Sequence, residues 1–183
     1  MNALFKISAL ILFVALYLVS CDSSQSLQQY YVDSKENNEF ISIDLPASII
    51  QLKDTEVSDD IKSTLETIKK VNFLALQLND SNKDLFVVEK AKVLQILKNP
   101  KYKQLIRANM GQGNVSVNYL GEEDAIDEVV VFGADNSKGF AVVRVIGENM
   151  NPAAIMKLTQ EIQLDDNAPQ LKQLEGIFKN ISK

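Results

Sequence analysis

The sequence predicts an α+β fold: a largely antiparallel sheet of two early strands plus a three-strand meander, with helices packed on one face. Three observations carry this expectation. Apolar and polar residues alternate near residues 40–45 and again between 115 and 119, and two further apolar runs follow by residue 146. Segments with helical spacing sit between and after those runs rather than alternating strictly with them. The chain of 183 residues is 46% hydrophobic and 23% charged, which suits one core of ordinary size.

The elements follow in order. Ile41, Ile43 and Leu45 alternate with Ser42 and Asp44, and Pro46 ends this half-buried strand. Ala47 to Leu52 reads as a helical turn after the proline. Ser58 reads as an N-cap, with Asp59 and Asp60 in the first turn, where the helix dipole favours negative charge. Ile61, Leu65 and Ile68 mark one face of that helix, and Asn72 to Leu78 is apolar enough for a central strand. After a polar loop, Asp80 to Asp84, a helix over Phe86 to Leu97 is expected to turn Val87, Ala91 and Leu94 inward. Asn99-Pro100 breaks it, and a short second helix is expected to carry Tyr102, Leu105 and Ile106 to the core.

Three strands close the sheet. Val115, Val117 and Tyr119 alternate with polar neighbours, Ile126 to Phe132 forms the next strand, and Phe140 to Ile146 the last. Asn151-Pro152 opens a helix with Ile155, Leu158 and Ile162 inward. Leu171, Leu174, Phe178 and Ile181 then repeat at heptad-like spacing.

The N-terminal residues speak to location. Ile7 to Val19 is an apolar run broken only by Ser8 and Tyr17. That is short of the roughly twenty residues a membrane span needs, and it fits the apolar region of a secretory signal. Leu18-Val19-Ser20-Cys21 follows, and Cys21 is the only cysteine. The pattern reads as a bacterial lipobox, cleaved between Ser20 and Cys21 with lipid added to Cys21. One acyl chain holds a protein only marginally, whereas two or three on one cysteine hold it permanently. The expected organisation is a signal peptide over 1–20, a flexible tether over 21–38, one α+β domain over 39–163 and an amphipathic helix over 164–183. The tether reading rests on the Ser, Gln and Asn content of Ser23 to Asn38.

Composition bounds the chemistry. Histidine is absent, which excludes a Ser-His-Asp triad, a Cys-His dyad and a histidine-ligated zinc. A lone cysteine excludes an internal disulfide, and a net charge of -5 argues against nucleic-acid binding. No cofactor, no metal site and no catalytic residue is expected.

Several clusters invite a functional reading beside a plain one. Asp80, Asn82 and Asp84 have the spacing of the first ligands of a calcium loop, but Leu85 stands where glycine is required and Ala91 where glutamate is required. The plain reading is a turn with Asp84 as helix cap. Glu122, Glu123, Asp124, Asp127 and Glu128 form an acidic patch that reads as a solvated hairpin tip. Lys90, Lys92, Lys98, Lys101, Lys103 and Arg107 run without an intervening acid; they form either a solvated lysine face or a surface for phospholipid headgroups or an acidic partner. Arg144 interrupts an apolar strand, to face solvent, to pair with a carboxylate from a neighbouring strand or to anchor a ligand. Leu171, Leu174, Phe178 and Ile181 must be buried somewhere, on the domain or on a partner, and are the candidate partner-binding residues.

The lipobox, the polar tether, the 90–107 stretch, the Tyr119 strand, Val129-Val130-Val131-Phe132 and the Phe140-to-Gly147 strand running into Asn151-Pro152 together resemble one family. It is the envelope lipoprotein family catalogued as domain of unknown function 4252 (DUF4252). The resemblance spans Phe40 to Ile162 and implies a small α+β lipoprotein of a Gram-negative envelope. It carries no catalytic residues over. The expected role is a lipid-anchored, periplasm-facing, non-enzymatic binding module of the cell envelope, attached to the membrane through Cys21 and serving an envelope protein partner. The alternatives are a sensory lipoprotein signalling to an inner-membrane regulator and, further off, a glycan hydrolase using paired carboxylates.

Overall fold

The computed structural model describes residues 25–53, 56–164 and Pro169. Over these the chain runs α1 (Leu27–Lys35), β1 (Phe40–Pro46), a 3-10 turn (Ala47–Ile49), β2 (Ile50–Leu52), α2 (Asp59–Thr67), β3 (Ile68–Gln77) and α3 (Lys83–Leu97). Then come β4 (Lys103–Met110), β5 (Gly113–Gly121), β6 (Ile126–Asp135), β7 (Gly139–Met150), α4 (Pro152–Glu161) and β8 (Ile162–Leu164). Six strands form one antiparallel sheet in the order β1-β3-β7-β6-β5-β4, and β2 pairs with β8 in a separate ribbon. The class is α+β, as the sequence predicts. No helix among the described residues is long and apolar enough to cross a membrane.

Four expectations are corrected. The first concerns the flexible tether: residues 27–35 within it are helix. Ser26 caps α1, its Oγ accepting from the Gln29 N–H at 3.0 Å, a contact that contributes about 1 kcal/mol. Leu27, Tyr30, Tyr31 and Ser34 are buried at helical spacing, and the Tyr30 ring meets Phe40 edge-on with centroids 6.3 Å apart. Burial of three large side chains outweighs the loss of chain freedom that the polar composition suggested.

The second is the short helix after Pro100. Lys103 to Met110 is β4, the edge strand of the sheet, with Ile106 paired to Val117 and Ala108 to Val115. The register shifts between Gln104 and Ile106, so Leu105 is an extra residue in the strand. Such a bulge breaks the period of two and leaves Tyr102, Leu105 and Ile106 at a spacing that imitates a helix.

The third is the orientation of α3. Its buried residues are Phe86, Glu89, Val93, Ile96 and Leu97, while Val87, Val88 and Ala91 are exposed. Apolar side chains are spread around the helix among charged ones, so periodicity selects no unique face, and packing of the Phe86 ring against Phe140 decides the rotation. It starts at Lys83 with Asn82 in the cap position, so Asp84 lies in the first turn and is not the cap.

The fourth is the placing of helices on one face. Alternate residues of the inner strands β3, β7 and β6 feed two cores. Leu74, Leu76, Val130, Phe132, Phe140 and Val142 meet α1 and α3 on one face. Ile43, Leu45, Phe73, Val129 and Tyr119 meet Ile61 of α2 and Leu158 of α4 on the other. A central strand of an antiparallel sheet with both faces apolar needs cover on both, which is why β3 and β7 read as continuous apolar runs.

Two glycines are required by their surroundings. Gly139 opens β7 at φ +119, and a Cβ there would lie 2.0 Å from the Leu76 carbonyl oxygen. Gly147, the glycine of the family resemblance, lies where a Cβ would approach the Thr67 carbonyl oxygen to 2.4 Å. It lets the end of α2 close onto β7.

Candidate functional site

The face under α1 carries a polar ribbon across the sheet. Arg144 of β7 donates from Nε to Glu128 Oε1 at 2.7 Å and from a terminal nitrogen to Oε2 at 2.9 Å. Its other terminal nitrogen donates to Gln28 Oε1 of α1 at 2.8 Å. Arg144 is 3% exposed and Glu128 6%. All three guanidinium nitrogens are engaged, so of the three sequence readings of Arg144 the carboxylate pair is the one realised. Glu128 is thereby removed from the expected solvated acidic tip.

The ribbon continues toward β1. Tyr31 donates its hydroxyl to Asp44 Oδ1 at 2.8 Å, Asn72 donates its amide to the same oxygen, and Lys35 holds Oδ2 at 2.7 Å. Partial burial pushes the Asp44 carboxyl upward, but the hydrogen bonds from Lys35 and Tyr31 outweigh it and hold the group below the ordinary carboxylate value. Burial first, then the Asp44 contact, drives the Tyr31 hydroxyl well above the ordinary phenol value. The ribbon fixes α1 to the sheet.

The opposite face differs. The pairing registers define rows that cross all six strands. One row reads Ile41, Ala75, Ala141, Gly133, Val115 and Ala108. The next reads Ile43, Phe73, Val143, Val131, Val117 and Ile106. Neither contains a charged residue. The first row is built of small side chains at its centre, so it forms a trough beside the Phe73 ring. A hollow of about 420 Å³ lies there, lined by Phe73, Ala75, Gly133, Val115 and Ala141, with Asp135 and Lys138 at one end. Val143, Val131 and Val117 remain partly exposed, and Ile106 is exposed. α2 and α4 contribute to the core around Leu45, Val129 and Tyr119. Ile43, Phe73 and Ala75 are buried at the β1–β3 end, and the part of the trough left open over β7, β6, β5 and β4 is the candidate functional surface.

The other sequence candidates fall elsewhere. Ser20, Cys21, Leu171, Leu174, Phe178 and Ile181 lie outside the described residues. Asp80 pairs with Lys83 at 2.7 Å, and the Asn82 amide donates to Glu39 at 3.0 Å and to the Gln77 carbonyl at 2.9 Å. The calcium-like loop is therefore tied into the start of α3. Glu122, Glu123 and Asp124 sit exposed on the β5–β6 turn. The basic run is divided. Lys90 reaches Asn136 at 2.9 Å, Lys92 pairs with Glu89 at 2.7 Å, Lys98 and Lys101 follow at the exit of α3, and Lys103 and Arg107 belong to β4. The small residues Ala75, Ala141 and Gly133 were missed as a group, since only the strand register brings them together.

Residues 30–158 match the family described as Domain of unknown function (DUF4252). The chain belongs to this family. The DUF4252 match covers every strand of the six-stranded sheet, most of α1 and α4 as far as Leu158. It starts ten residues before the span the sequence suggested, because α1 is part of the domain. No curated protein and no solved structure matches the chain.

Proposed function

We propose that this DUF4252 protein is a lipid-anchored lipoprotein of the cell envelope that acts as a non-enzymatic binding module, cleaved between Ser20 and Cys21 and acylated on Cys21. The observation that carries the binding role is the uncovered trough. The part left open crosses β7, β6, β5 and β4, and four strands at about 4.8 Å spacing give a span of roughly 14 Å, the length of an amphipathic helix of about ten residues at 1.5 Å per residue. Two adjacent charge-free rows left open on a sheet face mark an interaction surface more often than bare solvent exposure. The polar ribbon supports the same reading, since its Arg144 and Glu128 are occupied with one another. The C-terminal stripe of Leu171, Leu174, Phe178 and Ile181 supplies the second half of the partner contact.

Photo-crosslinking in the native envelope tests this. A photoreactive residue at Val143 is expected to capture one envelope protein. Ala141→Glu, which places a charge in the trough, and deletion of residues 167–183 are each expected to abolish the capture. Crosslinks from position 143 confined to the chain itself, or undiminished capture by the Ala141→Glu variant, would overturn the reading. Mass spectrometry of the mature chain reads the lipid on Cys21 separately.

A further inference from the structure

α3 exposes what a helix of a soluble domain usually buries. Val87 is 64% exposed and Val88 50%, and Ala91 lies exposed beside them. Lys92, Gln95, Lys98 and Pro100 line the same surface depression, all of them exposed, and exposed Lys101 follows. Of the two acidic residues of α3, Glu89 is buried and Asp84 lies exposed in the first turn. The surface is thus a small apolar patch bordered by ammonium groups, the arrangement that suits the boundary between acyl chains and anionic headgroups.

A second observation places this patch near a bilayer. Gln25, the first described residue, lines the same depression. It is four residues from Cys21 in the sequence, a reach of at most about 14 Å when extended. A lipid on Cys21 would enter the membrane within that distance of Gln25, on the rim of the depression that Val87 and Val88 also line.

We propose that the outer surface of α3 docks on an anionic bilayer, Val87 and Val88 entering the headgroup boundary while Lys98 and Lys101 face phosphate groups and Lys92 stays paired with Glu89. The proposal rests on the lipid-anchor reading for its geometry, and its charge requirement is independent of it. Docking holds α3 to the membrane and leaves the trough, on the other side of the sheet, free for a partner.

The chain has no tryptophan, so Val87→Trp introduces a single fluorophore. In acylated protein on phosphatidylglycerol-containing vesicles, its emission is expected to shift to the blue and to be quenched by brominated lipid. Glu123→Trp, on the β5–β6 turn, is expected to do neither. The unacylated mature chain (Cys21→Ser) is expected to sediment with phosphatidylglycerol vesicles and not with pure phosphatidylcholine. Replacing Lys98 and Lys101 together by glutamine should lower that partition about ten-fold or more, with an unchanged circular dichroism spectrum. A fluorophore at position 87 that stays solvent-like in vesicle-bound acylated protein overturns the docking and leaves the anchor standing. Equal sedimentation with both vesicle types, or none with either, overturns it as well. A chain found unacylated that still requires these lysines and phosphatidylglycerol retains the docking surface and loses the anchor.

Discussion

Arg144 and Glu128 face each other with two hydrogen bonds in a place where water does not reach. Removing either partner leaves a charge buried alone. Arg144→Met or Glu128→Leu is expected to cost about 3–5 kcal/mol, and the double substitution much less than the sum. Urea unfolding of the three variants checks this, and near-additive costs would count against it. Asp44 makes an acid-side prediction. Its folded pKa lies below the ordinary 3.8, so its contribution is complete above that value and is lost as pH falls through the folded value. Asp44→Asn should therefore flatten the acid limb of the stability curve, and it also relieves part of the upward push on Tyr31. The chemistry of these residues was visible in the sequence only as one arginine in an apolar run. The carboxylate it meets lies 16 positions away and Gln28 lies 116 positions away, and no local pattern joins them.

At the scale of elements, α1 and α3 are the informative cases. The spacing of Leu27, Tyr30, Tyr31 and Ser34 after the capping Ser26 is a helix signature that was present in the sequence. The Ser- and Gln-rich composition of the neighbourhood concealed it. Leu27→Ala is expected to cost about 2–5 kcal/mol, which a flexible tether would not; denaturant titration distinguishes the two. In α3, Val93→Ala should cost about 2 kcal/mol, because Val93 is fully buried. Val87→Ala should change stability by less than about 0.5 kcal/mol, since its side chain is exposed. The meander was legible because Val115 to Tyr119, Ile126 to Phe132 and Phe140 to Ile146 each carry a clear strand pattern between turn residues. β4 was not, because its bulge breaks that pattern. The trough was not legible at all: it exists only once Ala75, Ala141 and Gly133 are brought side by side by pairing.

For the whole molecule, three buried tyrosines set an upper pH limit. Tyr30, Tyr31 and Tyr102 all have hydroxyls pushed above the ordinary value of 10.0, with burial the largest cause in each. Their stabilising contribution is complete below that value and is lost as pH rises toward the folded values. Each should remove about 1.4 kcal/mol per pH unit in that window. The urea midpoint is expected to fall steeply above pH 10, and less steeply when Tyr31 is replaced by phenylalanine. The order of strands has a consequence for how the chain is made. β7 is the last strand of the main sheet to be synthesised, yet it lies between β3 and β6 in the middle of that sheet. Until residues 139–150 have emerged, β3 has no inner neighbour and the helix at the front of the chain lacks the arginine it fastens to. In a nascent chain the facing edges of β3 and β6 therefore stay unpaired until β7 has been made.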